Sequence, residues 1–527
     1  MLLTPAIVPQ LQDATEPLGL LGDIEKAIND AFKPIQEAVA EVIFFQIPGW
    51  EDGPPFVILW LILGALVCTV YFGFIQVRGW KTAFEVVRGR YSSPDDPGEI
   101  THFQALASAL SGTVGLGNIA GVAIAVTIGG PGATFWMIIA GLLGMATKFA
   151  ECTLGVKYRE INEDGTVSGG PFKYLLVAYG RVHGRVAVIM TGIYAVAILF
   201  FGVAGGNMFQ ANQTYVQVTE VTGDDNSFLA SDGAALIFGL VLAALVALVI
   251  IGGISSIARV TDKLVPGMAV LYVGGCLTVL IVNASHIPAA MTGIFEGAFN
   301  PQGVTGGIVG VMIVGMQRAA FSNEAGLGSA AIAHSAVKTR RPVSEGFVAL
   351  LEPFVDTVII CTMTALTIVV ADTALYGQSR AQSAAGEEVT AGGVLLTSDA
   401  FESVVSWFPV VLAIAVALFA FSTLITWSYY GQKAWEFLFG RARISIIIYK
   451  MVFCTFTVLG CVLTLSEVVN FADSFLFICA FVNILGLYLL LPVIKAEMNE
   501  YLADRKSGHL LQYGLDDRDK DVPVHEL

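Results

Sequence analysis

Apolar residues run along this chain in blocks of about 20 positions or more, the length a helix needs to cross the hydrocarbon core of a bilayer. Eleven such stretches can be marked, at 55–76, 101–128, 132–157, 185–210, 233–253, 264–283, 305–336, 346–371, 400–436, 445–466 and 470–494. The polar stretches between them alternate in charge. Arg78, Lys81, Arg88 and Arg90 follow the first stretch, and Lys157, Arg159, Lys173, Arg181 and Arg185 follow the third. Arg259 and Lys263, then Lys338, Arg340 and Arg341, then Lys433, Arg441 and Arg443 continue the series. The opposite loops carry Glu220, Asp224, Asp225 and Asp232, or Glu387, Glu388 and Asp399. Basic loops stay on the cytoplasmic side, so the pattern fits an odd number of crossings with the N-terminus outside and the C-terminus inside. The expected fold is an all-α integral membrane protein of 11 transmembrane helices.

Two stretches are poor uninterrupted helices. The second contains Ser111-Gly112-Thr113-Val114-Gly115-Leu116-Gly117-Asn118, and the seventh Ser322-Asn323-Glu324-Ala325-Gly326-Leu327-Gly328-Ser329. Each helical glycine costs about 1 kcal/mol against alanine, so both segments read as helices that unwind inside the membrane. They share Gly-Leu-Gly, and each opens a block of five stretches, 101–283 and 305–494. A block of five starts and ends on opposite faces, so the second copy enters inverted. Paired interrupted helices in inverted halves point to a transporter's binding site. The stretch 55–76 precedes the repeat. Residues 1–54 form an extracytoplasmic segment with an amphipathic helix near 23–46, and 495–527 a cytoplasmic tail.

Composition supports the membrane reading, with 55% hydrophobic and 13% charged residues, against about 25% charged in soluble domains. A formal net charge of −15 argues against nucleic acid, whose phosphates need clustered lysine and arginine. The seven cysteines lie inside apolar stretches with no metal-ligand spacing, and read as small buried hydrophobes. The six histidines are scattered, which argues against an embedded enzyme, and no cofactor is implied. Lys148 with Glu151, Arg318 with Glu324, and Glu352 with Asp356 are expected to be structural or gating groups, the first two as ion pairs.

An unwound helix frees carbonyl oxygens, which suit a hard cation, and amides at a positive dipole end, which suit a carboxylate. The site therefore suits a zwitterion beside sodium. Ser422 and Thr423 add two adjacent hydroxyls, followed by Trp427.

The break sequences, with Gly129-Gly130-Pro131-Gly132, Gly169-Gly170-Pro171-Phe172-Lys173-Tyr174, Gln317 to Gly326 and Trp427-Ser428-Tyr429-Tyr430-Gly431, resemble the sodium/alanine (or glycine) symporter family. That family resembles the leucine-transporter (LeuT) fold, with ten core helices as two inverted fives. The resemblance implies one sodium site at Ser111, Val114, Ser422 and Thr423, and another at Thr113, Asn118 and Ser322. It implies that Gly115 and Gly117 hold the substrate carboxylate through their amides. Phe321 and Trp427 would wall a small side-chain pocket, with Gln104, Phe209 and Asn323 as further substrate contacts. The expected activity is symport of alanine or glycine with sodium into the cell across the inner membrane, with no obligate protein partner. A proton-coupled symporter and a transporter-like sensor are the alternatives, and the non-titrating Ser422-Thr423 pair favours sodium.

Overall fold

A computed structural model describes residue 34 and residues 38–510, apart from 48–53, 94, 224–226, 231–232, 302–303, 305, 388, 390–391 and 463–465. Among the described residues seven helices are long and apolar enough to cross a membrane, and one bent pair adds an eighth.

The chain enters through α1 (Phe56–Tyr71). The first interrupted helix follows as α2 (His102–Thr113) and α3 (Ala120–Ile128), bent by 57°. A long α4 (Ala133–Lys157) comes next, then α5 (Gly184–Val203) and α6 (Phe209–Val221), which continue through a π turn at Ala204–Met208. Then come α7 (Ala234–Ile250) and α8 (Gly253–Val282). The second interrupted helix is α9 (Gly307–Asn323) and α10 (Ala330–His334). α11 (Pro342–Ala349) leads through Leu351–Pro353 and a π segment, Phe354–Cys361, into α12 (Thr362–Ala371). α13 (Phe408–Phe439), α14 (Arg443–Val462) and α15 (Ser466–Ser507) complete the chain.

Each apolar stretch marked in the sequence coincides with helix, but several ends differ. The stretch expected at 264–283 begins at Gly253, because Arg259, Asp262 and Lys263 sit in a helix that runs past the apolar core. The stretch 400–436 is two elements, a short helix Val394–Glu402 and α13. α15 runs on to Ser507, so the tail expected from 495 starts as helix, and Tyr501 is buried within it. Of the amphipathic segment, residues 38–43 are helical, and its remainder lies largely outside the described residues. Between 372 and 402 two helices, Ala374–Ala385 and Val394–Glu402, cover the far end of α3, with the Tyr376 hydroxyl bonded to the Val126 carbonyl (3.3 Å).

The surface and the core invert the pattern of a water-soluble protein. Leu248 (73% exposed), Val270 (74%) and Ile444 (74%) face outward, as a lipid-facing surface requires. Lys148, Glu345 and Glu352 are buried. α4 is the central pillar and packs against α1, α9, α10 and α11.

Candidate functional site

The first break begins where Val114 leaves helical geometry (ψ 83°) and Gly115 is extended (φ −131°, ψ −151°). A single 3-10 turn, Leu116–Asn118, then leads to α3. The second break starts at Glu324, whose φ of 56° is left-handed, and continues through Gly326 (φ 96°) and Gly328 (φ 81°). A side chain at 326 or 328 would be strained there, which is the local reason the helix stops.

α13 crosses the first break. The Thr423 hydroxyl donates to the Ser111 carbonyl (3.0 Å), the Thr426 hydroxyl contacts the Ser111 hydroxyl (3.0 Å), and the Ser111 hydroxyl donates to the Ser422 carbonyl (2.6 Å). Ser422 turns its own hydroxyl to the Phe419 carbonyl (2.9 Å) and to Met268 Sδ (3.6 Å). A Cβ on Gly115 would stand 2.5 Å from Thr423 Oγ1, so only glycine admits this approach. Ser111, Ser422 and Thr423 are thus drawn together at the break, where Val114 precedes the glycine that Thr423 approaches.

Asn118 and Ser322 converge from the two broken helices on one carboxylate. The Asn118 amide donates to Asp356 Oδ1 (2.7 Å) and to the Asp356 carbonyl (3.1 Å), and the Ser322 hydroxyl donates to Asp356 Oδ2 (2.8 Å). The Thr357 hydroxyl also donates to Oδ2 (2.8 Å), and Cys361 Sγ lies 3.3 Å from Asn118 and 3.2 Å from Ser322. The π segment aims Asp356 inward. Pro353, just before it, has no N–H to continue the helical register, and π segments recur at functional sites. Thr113 contributes differently, since its hydroxyl bonds back to the Ala109 (3.3 Å) and Leu110 (3.4 Å) carbonyls, and its carbonyl accepts from Gly115 (2.9 Å).

Aromatic rings close the other side. Phe321 makes edge contacts with Phe209 (5.7 Å) and Phe201 (5.8 Å), and Phe201 meets Trp427 at 4.8 Å. The Trp427 indole donates to the Gly112 carbonyl (3.2 Å). A Cβ on Gly117 would come 3.3 Å from the Phe321 ring, which puts the two breaks side by side.

Several expected contacts are not as read from sequence. The Gly115 amide is taken by Asn118 Oδ1 (2.9 Å) and the Leu116 amide by Gln210 Oε1 (3.0 Å). Asn323 caps the second break, accepting from the Ala325 amide (2.9 Å) and donating to Thr357 (2.9 Å). Gln104 stands apart from this cluster, in the capping box with Thr101 at the start of α2, with its amide on Asp262 (3.1 Å). Arg318 does not pair with Glu324. It pairs with Asp473 on α15 and lies over the Phe321 ring (5.4 Å), while Glu324 accepts from Ser329 inside its own break. Lys148 pairs with Glu352 (3.2 Å), not Glu151. Glu151 instead accepts from the Gly328 amide (3.0 Å) and from Asn483 (2.7 Å), because the unwound segment supplies donors without helical partners.

Asp356 and Gln210 are the groups of greatest consequence that the sequence reading left outside the site. Gln210 had a signal, since Asn207, Gln210, Gln213 and Gln217 form a polar row at helical spacing in an apolar stretch. Among the described residues Cys152, His334 and Glu352 bring one ligand atom each within 4.8 Å. This cluster is spoken for, with both His334 nitrogens on carboxylates and Lys148 on Glu352, and it does not make a metal centre.

Residues 37–513 match the family described as the sodium:alanine symporter family. The sodium/alanine symporter AgcS of Methanococcus maripaludis is 36% identical over 86% of this chain and 95% of its own length. The amino-acid carrier protein AlsT of Bacillus subtilis is 32% identical over 86% and 90%. The crystal structure of MhsT in complex with L-phenylalanine superposes with a TM-score of 0.50 at 15% identity, over 76% of this chain and 98% of that one. The likeness to MhsT speaks for a shared LeuT-like fold alone.

Proposed function

The chain belongs to the sodium:alanine symporter family and is a secondary transporter rather than an enzyme; on that premise we propose that it carries a small neutral amino acid, alanine or glycine, inward with sodium by alternating access. The observation that carries this reading is the convergence of both interrupted helices on oxygen-rich clusters beside a closed aromatic wall.

One sodium is held between the first break and α13, by the carbonyls of Ser111 and Val114 and the hydroxyls of Ser422 and Thr423. The existing bond from Thr423 to the Ser111 carbonyl (3.0 Å) supports this, since a cation would take the place of that proton between the two oxygens. The other is held by Asn118, Ser322, the Thr113 carbonyl and Asp356, whose carboxylate offsets the ion's charge where water is excluded. The substrate carboxylate docks at the amides of the first break once Asn118 and the Thr113 carbonyl turn to sodium and free Gly115, with Gly117 beside it and Gln210 steadying the turn. Phe321, Phe209 and Trp427, whose ring contacts run through Phe201, limit the side chain, which favours alanine and glycine.

The architecture of this proposal is eleven crossings, with 55–76 outside two inverted blocks, 101–283 and 305–494. The N-terminal segment is extracytoplasmic and the C-terminal tail cytoplasmic, in the cell's inner membrane. Sodium loads the outward-facing state, and rocking of one helix group against the other opens the inner path.

The test is labelled alanine uptake into proteoliposomes under an imposed sodium gradient, with choline as the control cation. Uptake that requires sodium and is blocked by glycine but not by leucine supports the reading. Accumulation driven by a proton gradient without sodium would replace the coupling ion.

A further inference from the structure

A second polar assembly lies beside the second break and shares no residue with the proposed ion and substrate ligands. His334, the last residue of α10, directs Nδ1 at Glu345 Oε1 (2.6 Å) and Nε2 at Glu352 Oε1 (2.5 Å). The second oxygen of Glu345 meets His102 Nδ1 (2.5 Å), at the start of α2. The second oxygen of Glu352 meets Lys148 Nζ (3.2 Å), on α4. All five side chains are buried.

Hydrogen-bond counting fixes the protons of this chain. A neutral imidazole has one donor and one acceptor nitrogen, and an ionised carboxylate only accepts. His334 at hydrogen-bond distance from two carboxylates therefore requires a proton in each of the two contacts. Either His334 is an imidazolium, or one carboxylate is protonated. Removing one proton leaves a nitrogen lone pair facing a carboxylate about 2.6 Å away, an unmade buried bond of the costly kind.

The assembly also joins the two interrupted helices. His102 belongs to one half of the first interrupted helix and His334 to one half of the second, and Glu345 bridges them. Both lie at the end rich in basic residues, where Arg159 donates to the carbonyls of Pro97 (2.8 Å), Ser335 (2.8 Å), Val337 (2.5 Å) and Thr339 (2.6 Å). Other ionisable groups face the cluster. Glu151 and Cys152 do so from α4, Arg159 from the segment that follows it, Tyr430 from α13, and Glu324 from the second break.

We propose that Glu345–His334–Glu352 is a proton-occupied latch that holds the inner halves of the two interrupted helices together, and that loss of its proton to the cytoplasm releases them for inward opening. This rests on the transport reading and orientation proposed above. By linkage, a proton that the closed latch needs favours the closed state. Acid inside the cell keeps the inner path shut, and a more alkaline interior opens it.

The experiment is sodium-driven alanine uptake in right-side-out membrane vesicles, with external pH fixed and internal pH stepped from about 6 to about 9, a window that spans and passes the range where a free imidazole exchanges its proton. Wild-type uptake is expected to rise by about fivefold across that range, inside the limit of about tenfold per pH unit for one proton. His334→Gln and Glu345→Gln, which keep polar contacts without that proton, should flatten the rise to less than about 1.5-fold. Sodium-dependent alanine binding to each purified variant reports that it is folded, so two variants must fail before the comparison is lost. Sodium-driven uptake in the wild type that ignores internal pH would overturn the latch and leave the transport reading intact. A pH response equally steep in both variants would do the same. Absence of sodium-driven uptake at every internal pH would overturn the reading on which the latch rests.

Discussion

Thr423 shows how much of the proposal hangs on single atoms. Its hydroxyl is buried and donates to a carbonyl that lost its helical partner. Thr423→Ala removes one oxygen without opening a large cavity. If that oxygen is a sodium ligand, the sodium concentration for half-maximal uptake should rise by about tenfold, the scale of one polar contact of about 1–2 kcal/mol. Thr423→Ser should recover most of it, and a sodium titration of uptake reads both. Asp356 carries a different burden, since it gathers Asn118, Ser322 and Thr357. Asp356→Asn keeps the shape but removes the charge and turns donors toward Asn118. We expect sodium-driven uptake to fall by more than about tenfold, because a buried carboxylate facing a cation is worth several kcal/mol. A variant that transports normally at low sodium would remove Asp356 from the ion site. Ser422-Thr423 was legible in sequence as paired hydroxyls that cannot titrate. Asp356 was not, because four-residue spacing from Glu352 puts both carboxylates on one α-helical face. The π segment after Pro353 breaks that register and sends Glu352 to Lys148 and His334, and Asp356 to the site.

At the level of elements, the glycines announced the breaks but not what would fill the space around them. The two interrupted helices were readable because glycine content inside an apolar stretch contradicts a continuous helix. The bonding of Glu151 and Asn323 at the second break was not, since it depends on which neighbours meet freed amides after folding. The π turn Ala204–Met208 makes the same point. Gly206 lies against the indole, and a Cβ there would stand 2.3 Å from Trp427 Cγ. Gly206→Ala must push Trp427 toward the aromatic wall or unwind the turn. We expect loss of about 1–3 kcal/mol of stability, seen as a lower thermal midpoint in detergent, together with reduced uptake. Gly121→Ala on α3 provides the contrast, because nothing lies within 4 Å of the added carbon. It should leave both measurements unchanged or raise the midpoint slightly, as expected for alanine in a helix. Equal effects from both substitutions would remove the steric account.

Across the whole molecule, several basic residues between and after the helices hold neighbouring segments together. Arg341 bonds Glu500 (3.5 Å) and Asp504 (3.1 Å) on α15, and Arg505 bonds Glu85 (2.8 Å). Ile100 and Val337 pair as a short parallel bridge between the chain entering the first interrupted helix and the chain leaving the second. Arg159 stitches those same segments through four carbonyls, a task suited to a planar guanidinium with five donors in a fixed fork. Lysine has the charge but only three donors at one point, and cannot span carbonyls on two segments. In Arg159→Lys the seam should therefore loosen while the breaks, whose bonds do not involve Arg159, keep their geometry. Sodium-dependent alanine binding should stay within about threefold of wild type, whereas sodium-driven uptake falls by about tenfold, a difference of roughly 1.4 kcal/mol in the balance of inner-closed and inner-open states. Equilibrium binding and uptake measured on the same preparation separate the cases. Parallel losses would make Arg159 part of general stability. Loss of uptake alone would make the seam an inner gate, because only a gate can uncouple carriage from binding in a protein whose site is intact.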